Sequence, residues 1–298
     1  PIMGVMPPLT EAQWLATFAE YQQYPEYQKI NQGMDLAGFK QIFLFEYLHR
    51  VLGRLIGLMY FVPLVIFALR KMIAPQLLPT LILLLILGAA QGLLGWYMVK
   101  SGLVDRPSVS QYRLTAHLGV AVAIYALMMW LVLRVSSGLS PALKHISGWG
   151  WVLVAGIYTL ILSGGFMAGT DAGFAYPTWP MMGETFVPRG YYAEGWQATF
   201  EGVATIHFNH RMLAYAMALL VLVLSVRSLR TSDHPGVRRG AWLMLVALTF
   251  QVALGIGTVL TQVAIPMAAT HQVGAVLLLT AVLYWIHAQT DQKLAISV

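Results

Sequence analysis

Seven apolar runs, each long enough to cross a bilayer, limit what this chain can fold into. A membrane helix needs about 20 mostly apolar residues, and its backbone polar groups must be satisfied within the helix. Charged residues make up 10% of the chain, too few to cover a soluble globule. We predict an all-α polytopic membrane protein. Its predicted spans are Ile42–Leu69, Leu77–Val99, Arg113–Val135, Trp149–Ala168, Val203–Leu229, Gly240–Thr261 and Met267–His287.

Loop charges predict how the spans are oriented. The loops after the first, third and fifth runs and the C-terminal tail are basic, whereas residues 1–41 and 169–202 carry most of the acidic residues. The positive-inside rule places the basic loops in the cytoplasm and the two acidic segments outside. The short loop with Lys100 and Arg106 departs from this pattern. The basic residues that set it are Arg70, Lys71, Arg134, Lys144, Arg227, Arg230, Arg238, Arg239 and Lys293. The net charge of +6 is therefore a topology signal, and we predict no nucleic-acid partner.

Several motifs occur twice along the chain. The pairs are Glu46-Tyr47-Leu48-His49-Arg50 with His207-Phe208-Asn209-His210-Arg211, Gln91-Gly92-Leu93-Leu94-Gly95 with Gln251-Val252-Ala253-Leu254-Gly255, and His117 with His271. This repetition predicts two pseudo-symmetric four-helix bundles in parallel orientation. We place the first in residues 1–135, with its N-terminal outer loop, and the second in residues 136–298, with the long outer loop 169–202. Pro1-Ile2-Met3-Gly4 resembles Pro180-Met181-Met182-Gly183, which follows the fourth span, so an eighth helix is expected before Pro1.

Each predicted half contributes two histidines from alternate helices, which is the arrangement that a bis-histidine heme requires. His49, His117, His210 and His271 are each predicted to lie within roughly 6–10 Å of the same membrane face, at 1.5 Å per helical residue. A lone histidine within a membrane often makes only an interhelical hydrogen bond. Four at matched depth favour metal ligands instead. We interpret His145, His234 and His287 as surface residues, and aromatic residues near span ends, such as Trp285, as interfacial anchors.

Arginines near the histidines favour heme over other ligands. Charged groups in a bilayer are costly unless paired, and the guanidinium fork suits the carboxylates of heme propionates. The candidates are Arg50, Arg54, Arg113 and Arg211. Interfacial snorkelling is the alternative, most reasonable for Arg113. His207 precedes His210 by three residues, as Glu46 precedes His49, and this spacing also occurs in dinuclear-iron bundles. Glu46 is either a salt-bridge partner of a neighbouring arginine or a group that acts on protons or oxygen.

Several segments resemble heme A synthases. The residues that carry the resemblance are Glu46 to Gly57, Asp171 to Gly183, Phe208 to Ala214, and the opening Pro1 to Pro8 with Trp14, Tyr21, Pro25-Glu26-Tyr27 and Phe39-Lys40. The resemblance covers essentially the whole chain. It implies eight helices and an enzyme that oxidises a methyl group of heme O to a formyl group, giving heme A for terminal oxidases. The chain has no cysteine, so it resembles the cysteine-free branch of proteobacteria and mitochondria.

The resemblance also implies roles for individual residues. His210 and His271 would ligate a heme b cofactor, with Arg50, Arg54, Arg113 and Arg211 as further cofactor-binding residues. His49, His117 and Glu46 would form the catalytic site for the substrate heme. His207 stands where glutamine is expected in many relatives. Heme O synthase, an electron donor and the cytochrome oxidase assembly machinery are the implied partners, and self-association is compatible with the sequence.

Two other classes of function remain open from the sequence. A membrane cytochrome b could use two hemes to relay electrons, although four ligands near one face count against transport across the bilayer. A heme carrier would release bound heme unchanged. For the enzyme, we expect a bacterial or mitochondrial inner membrane, with the ligands near the outer face. The sequence leaves open the electron donor and the source of the formyl oxygen.

Overall fold

Helices make up most of the described part of the chain. The computed structural model describes residues 6–102, 108–138 and 147–296, and the side chains of all of these except residues 101–102 and 291–296. The Pro1–Gly4 motif, Arg106, Lys144 and His145 lie outside the described residues, as does the side chain of Lys293. Within the described ranges, the only β pairing is an isolated bridge between Met182 and Thr185.

Seven helices in the described part of the chain are long and apolar enough to cross a membrane. They are α3 (Leu36–Leu69), α4 (Leu78–Gly102), α5 (Gln111–Ser136), α6 (Gly148–Gly169), α8 (Val203–Thr231), α9 (Pro235–Leu260) and α10 (Ile265–Ile296). The shorter helices are α1 (Glu11–Tyr21), α2 (Pro25–Lys29) and α7 (Ala198–Glu201). The predicted all-α polytopic membrane fold is therefore confirmed, and so are its seven spans to within a few residues at most ends. The pseudo-symmetry of two bundles stays a prediction.

The helix α3 begins at Leu36 and not at the predicted Ile42. Its first turns precede the apolar run in the sequence and pack against α1. The Asp35 side chain caps the helix by accepting a hydrogen bond from the Gly38 N–H at 2.8 Å. Phe39 is fully buried against Tyr21 of α1, with ring centroids 5.0 Å apart. In the second half, Gly202 has an extended backbone (φ −82°, ψ 110°) that separates α7 from α8.

The four histidines lie at different distances from the starts of their helices. His49 lies about 20 Å along α3, whereas His210 lies about 10 Å along α8 and His117 and His271 about 9 Å along α5 and α10, at 1.5 Å per residue. A helix start is not a membrane face, so the equal depth predicted for the four histidines stays a prediction.

The chain divides into two compact units, residues 1–117 and 118–298. The division falls within α5, which is one continuous helix. It therefore does not mark the ends of two separately folded domains, and the domains predicted as residues 1–135 and 136–298 stay a prediction.

The core of the second unit is formed by side chains from all of its long helices. Leu153, Ile157, Val221 and Val282 are among its least exposed residues. At Gly240, a Cβ atom would lie 2.8 Å from Cα of Trp285, which real contacts do not allow. Glycine at this position thus lets the backbones of α9 and α10 touch.

Two residues that we interpreted as surface groups belong to this core instead. The Trp285 side chain is 1% exposed, and its Nε1 donates a hydrogen bond to Ser228 Oγ at 3.0 Å. His287 is also buried, with Nε2 2.9 Å from Ser137 Oγ and the ring edge-on to Trp130. The predictions of an interfacial Trp285 and a surface His287 were wrong, because α10 remains packed against its neighbours beyond the apolar run. His234 is half-buried at the start of α9.

Candidate functional site

The ring of His117 lies against α4 in the first unit. A Cβ atom at Gly95 would approach Cε1 of His117 to 3.0 Å, so glycine makes room for the ring. The Gln91 amide, one turn earlier on α4, lies 3.3 Å from Nε2 of His117 and donates to the His117 carbonyl at 3.0 Å. The repeated Gln-x-x-x-Gly motif thus forms the surface that the imidazole rests on.

His49 and the carboxylates of Glu46 and Glu26 also belong to this region of the first unit. His49 is close enough to His117 for the two to interact electrostatically. Glu46, one turn before His49 on α3, is exposed, and Glu26 of α2 lies within electrostatic range of it. Burial first, and then the nearby Glu46, raises the pKa of Glu26 above its usual value. No motif in the sequence pairs Glu26 with Glu46, because the two come within range of each other only in the folded chain.

The arginines of the first unit differ in their surroundings. Arg113 stacks its guanidinium over the ring of Tyr97 at 5.0 Å, which is compatible with the snorkelling alternative. Arg50 is half-buried and Arg54 is exposed. The predicted pairing of these three arginines with heme carboxylates stays a prediction.

In the second unit, His210 of α8 is held by a serine of α6. Oγ of Ser163 lies 2.7 Å from Nδ1 of His210 and donates its single hydrogen to the Leu160 carbonyl, also at 2.7 Å. A hydroxyl has one proton to donate, so Nδ1 of His210 must be the donor to Ser163. The lone pair of this imidazole is therefore on Nε2, and no hydrogen bond engages Nε2 among the described residues.

His271 of α10 repeats the packing of His117. A Cβ atom at Gly255 of α9 would lie 2.9 Å from Cε1 of His271. The backbone of Gln251 also lies beside this ring, and the Gln251 side-chain oxygen turns towards Gly274. His210 and His271 are close enough to interact electrostatically. The structure thus brings together the predicted pair in each unit: His49 with His117, and His210 with His271.

Arg211 connects α8 to the long outer loop. Its Nε donates to Nε2 of His207 at 3.0 Å, its Nη1 to the Met181 carbonyl at 3.2 Å and its Nη2 to the Tyr176 carbonyl at 3.0 Å. Arg211 is 6% exposed and His207 is fully buried. We call these four residues the loop clamp.

The loop clamp bears on the predicted role of Arg211. All three guanidinium nitrogens donate to protein acceptors, so the geometry does not favour Arg211 as the partner of a heme carboxylate, and that role stays a prediction. The loop clamp also shows which residues His207 contacts. It accepts a hydrogen bond from Arg211 and presents its ring edge-on to Tyr176, with centroids 5.9 Å apart.

The donor groups fit a planar metal macrocycle better than a bare metal ion. Among the described residues, no group of three or more His, Cys, Asp or Glu side chains could enclose a metal ion, so the dinuclear alternative gains no support from them. Each unit instead offers two imidazoles from different helices, one seated against a glycine. Nδ1 of His117 is buried with no hydrogen-bond partner among the described residues. These features fit bis-histidine coordination of heme iron.

The chain is similar to proteins of one family along its length. Residues 1–283 match the COX15-CtaA family model, described as cytochrome oxidase assembly protein. A heme A synthase of Nitrosospira multiformis is 44% identical over 294 residues, covering 96% of this chain and 83% of that protein. The heme A synthases of Rhodospirillum centenum and Paracoccus denitrificans are 44% and 42% identical, over 96% and 95% of this chain and 77% of each relative.

Proposed function

The chain belongs to the COX15-CtaA family of cytochrome oxidase assembly proteins, and from this premise we propose that it is a heme A synthase. The proposed reaction oxidises a methyl group of heme O to the formyl group of heme A by two hydroxylations and loss of water. The relatives of known name support this proposal. The single structural observation that carries it is the pairing of imidazoles from different helices once in each unit.

We assign heme b to the second unit because its histidine pair is already arranged for a resident cofactor. Ser163 fixes His210 with its Nε2 lone pair unused by the protein, and the Gln251 side-chain oxygen lies close to Gly274 of α10. When bound, heme b would supply one-electron redox chemistry. The protein would bind the ring, hold the iron with His210 and His271, and exclude water.

We assign the substrate heme to the first unit, between His49 and His117. Here the Gln91 amide lies against Nε2 of His117, so ligation through that atom requires the amide to turn aside. Gln91 also donates to the His117 carbonyl, which gives it a partner after it has turned. The Gln91 amide therefore competes with heme iron for Nε2 of His117. Such competition suits a substrate heme, which must enter and leave the site.

Glu46 would act on protons in the first unit. It is the only acidic residue well inside any predicted span, and its counterpart in the second half is His207. Glu46 lies one turn from His49, and the carboxyl of Glu26 is nearby. A carboxylate at this position could accept a proton released as the methyl group is oxidised. Arg50, Arg54 and Arg113 would pair with carboxylates of the bound hemes.

The rival functions lack a comparable observation in their favour. A relay across the bilayer needs hemes near both faces, yet His117 lies near the start of α5, and His210 and His271 near the starts of α8 and α10. A heme carrier needs no intramembrane carboxylate such as Glu46. The protein is an integral membrane protein by its seven apolar helices and its family.

The cellular setting follows from the proposed reaction. We propose a bacterial or mitochondrial inner membrane, with the ligands towards the outer face. Heme O synthase would deliver the substrate, and the cytochrome oxidase assembly machinery would receive the product.

The proposed function can be tested with Glu46→Gln in membranes that supply heme O but lack another heme A synthase. We expect this variant to retain heme b and to accumulate heme O, with heme A lost. Glu11→Gln, at an exposed position of α1, is the control and should form heme A as the wild type does. A wild-type yield of heme A from Glu46→Gln would remove Glu46 from the mechanism, and wild-type protein that makes no heme A would contradict the proposed function.

A further inference from the structure

Ser163 contacts the ring of a predicted heme ligand; a similar contact, between Ser137 and His287, lies at the end of α5 and involves no predicted ligand. Most serine and threonine side chains in these helices donate only to a carbonyl three or four residues earlier, as Thr159 does to Ala155 at 2.8 Å and Thr258 to Leu254 at 2.8 Å. Such bonds satisfy a hydroxyl within a helix. Ser163 makes this bond to Leu160 and also accepts a hydrogen bond from His210. The second bond is therefore not needed to satisfy the serine, and its effect is on the histidine.

The same part of α6 sets the position of the His210 ring. Gly164 follows Ser163, and a Cβ atom there would lie 3.6 Å from Cε1 of His210, within ordinary contact distance. The imidazole therefore rests on the α6 backbone at these two residues. With Nδ1–H directed at Ser163, rotation of the ring about its χ2 angle would break a short hydrogen bond.

The three other paired histidines have no hydroxyl among the hydrogen-bond partners found in the described part of the chain. Nδ1 of His117 has no hydrogen-bond partner there, and the ring of His271 interacts with the backbone of Gln251. A hydrogen bond from the second nitrogen of a metal-bound imidazole fixes its tautomer and makes it a stronger electron donor. Among the described hydrogen bonds of the four histidines, His210 is the one held by a side-chain hydroxyl.

We propose that Ser163 is the positioning residue for the heme b ligand His210. It holds the proton on Nδ1, fixes the plane of the ring, and strengthens Nε2 as a donor to ferric iron. This inference rests on the proposed function, since it takes heme b to be the group bound at His210. It adds a residue of α6 to a site whose axial ligands come only from α8 and α10.

The test compares three variants of the full-length purified protein. Ser163→Ala removes the hydroxyl, Ser163→Thr keeps it, and Thr159→Ala removes a hydroxyl from the same helix one turn earlier, where it contacts no histidine. Heme b affinity is measured by transfer of the heme to apomyoglobin, and the ratio of ferrous to ferric heme is measured by absorbance at a fixed ambient potential.

We expect Ser163→Ala to bind heme b on the order of 10- to 100-fold more weakly, the usual effect of losing such a partner. Its bound heme should also be more reduced at the same ambient potential, because a weaker imidazole donor stabilises ferric iron less. Ser163→Thr should restore both properties, and Thr159→Ala should match the wild type. A purely structural role for Ser163 would leave the ferrous-to-ferric ratio unchanged.

The outcomes separate this inference from the function on which it rests. If wild-type protein binds heme b but Ser163→Ala equals Thr159→Ala in affinity and in redox ratio, the role of Ser163 is contradicted and the proposed function stands. If the wild-type protein binds no heme b, the proposed function fails and the inference fails with it.

Discussion

At the scale of single residues, two glycines determine where an imidazole can lie. Gly95 and Gly255 stand at matching places in the two repeated motifs, and added Cβ atoms would meet Cε1 of His117 and of His271 at 3.0 and 2.9 Å. The sequence revealed the repeated Gln-x-x-x-Gly motif but not its purpose, because contacts between α4 and α5, or between α9 and α10, are not encoded by spacing along one helix.

Replacing Gly95 with alanine should therefore displace His117. Overpacking of this kind costs about 1–3 kcal/mol, more than the roughly 1 kcal/mol that alanine gains over glycine in a helix. We expect Gly95→Ala to reduce heme O binding and heme A formation while heme b in the second unit is retained. Gly92→Ala is the matched control, because an added Cβ there meets nothing within 4 Å. Equal heme A yields from the two variants would show that the ring does not depend on this glycine.

The loop clamp supports a second prediction at the same scale. Arg211→Lys removes the guanidinium fork that reaches the Tyr176 and Met181 carbonyls, and a buried acceptor left without a donor costs about 1–3 kcal/mol. We expect faster hydrogen–deuterium exchange in residues 172–188 and a lower melting temperature. Arg239→Lys, at an exposed position of α9, should change neither. Unchanged exchange in Arg211→Lys would mean that other contacts hold the outer loop.

At the scale of helices, hydropathy predicted the membrane spans well but not the packing of their ends. The apolar run gave the C-terminal end of α3 correctly at Leu69, whereas its start moved to Leu36 because Phe39 and Phe43 are buried with aromatic residues of α1. The same limitation affected α10, where Trp285 and His287 are buried. Hydropathy reports the solvent that a segment prefers, and it does not report which neighbouring helix covers a polar or aromatic side chain.

The N-terminal helices should respond to pH through Glu26. Burial, and secondarily Glu46, raises the pKa of Glu26 above its usual 4.5, so the folded state binds this proton more tightly than the unfolded state does. The contribution of Glu26 to stability is therefore fully present below pH 4.5 and is lost as the pH rises through the folded-state pKa. We expect hydrogen exchange in α1 and α2 to speed up over this range in the wild type and to be less pH-dependent in Glu26→Gln. Glu20→Gln, at an exposed position, should keep the wild-type dependence.

At the scale of the whole molecule, the repeat in the sequence predicted which histidines would meet. The structure brings His49 close to His117 and His210 close to His271, as the alternate-helix pattern required. Comparing the repeated motifs could not reveal the contacts of Ser163, of Glu26 or of the loop clamp. Each of these contacts joins two segments that do not correspond to each other in the repeat.

Pigment analysis of two double variants tests the central claim, that each unit holds its own heme between its own two histidines. Noncovalent hemes would be extracted and separated by chromatography from wild type, His49→Ala/His117→Ala and His210→Ala/His271→Ala. We expect wild type to yield heme b together with heme O or heme A, the first variant to keep heme b alone, and the second to lose heme b. If either variant retains all the wild-type pigments, or if the first variant loses heme b and keeps heme O, the assignment of hemes to histidine pairs is contradicted.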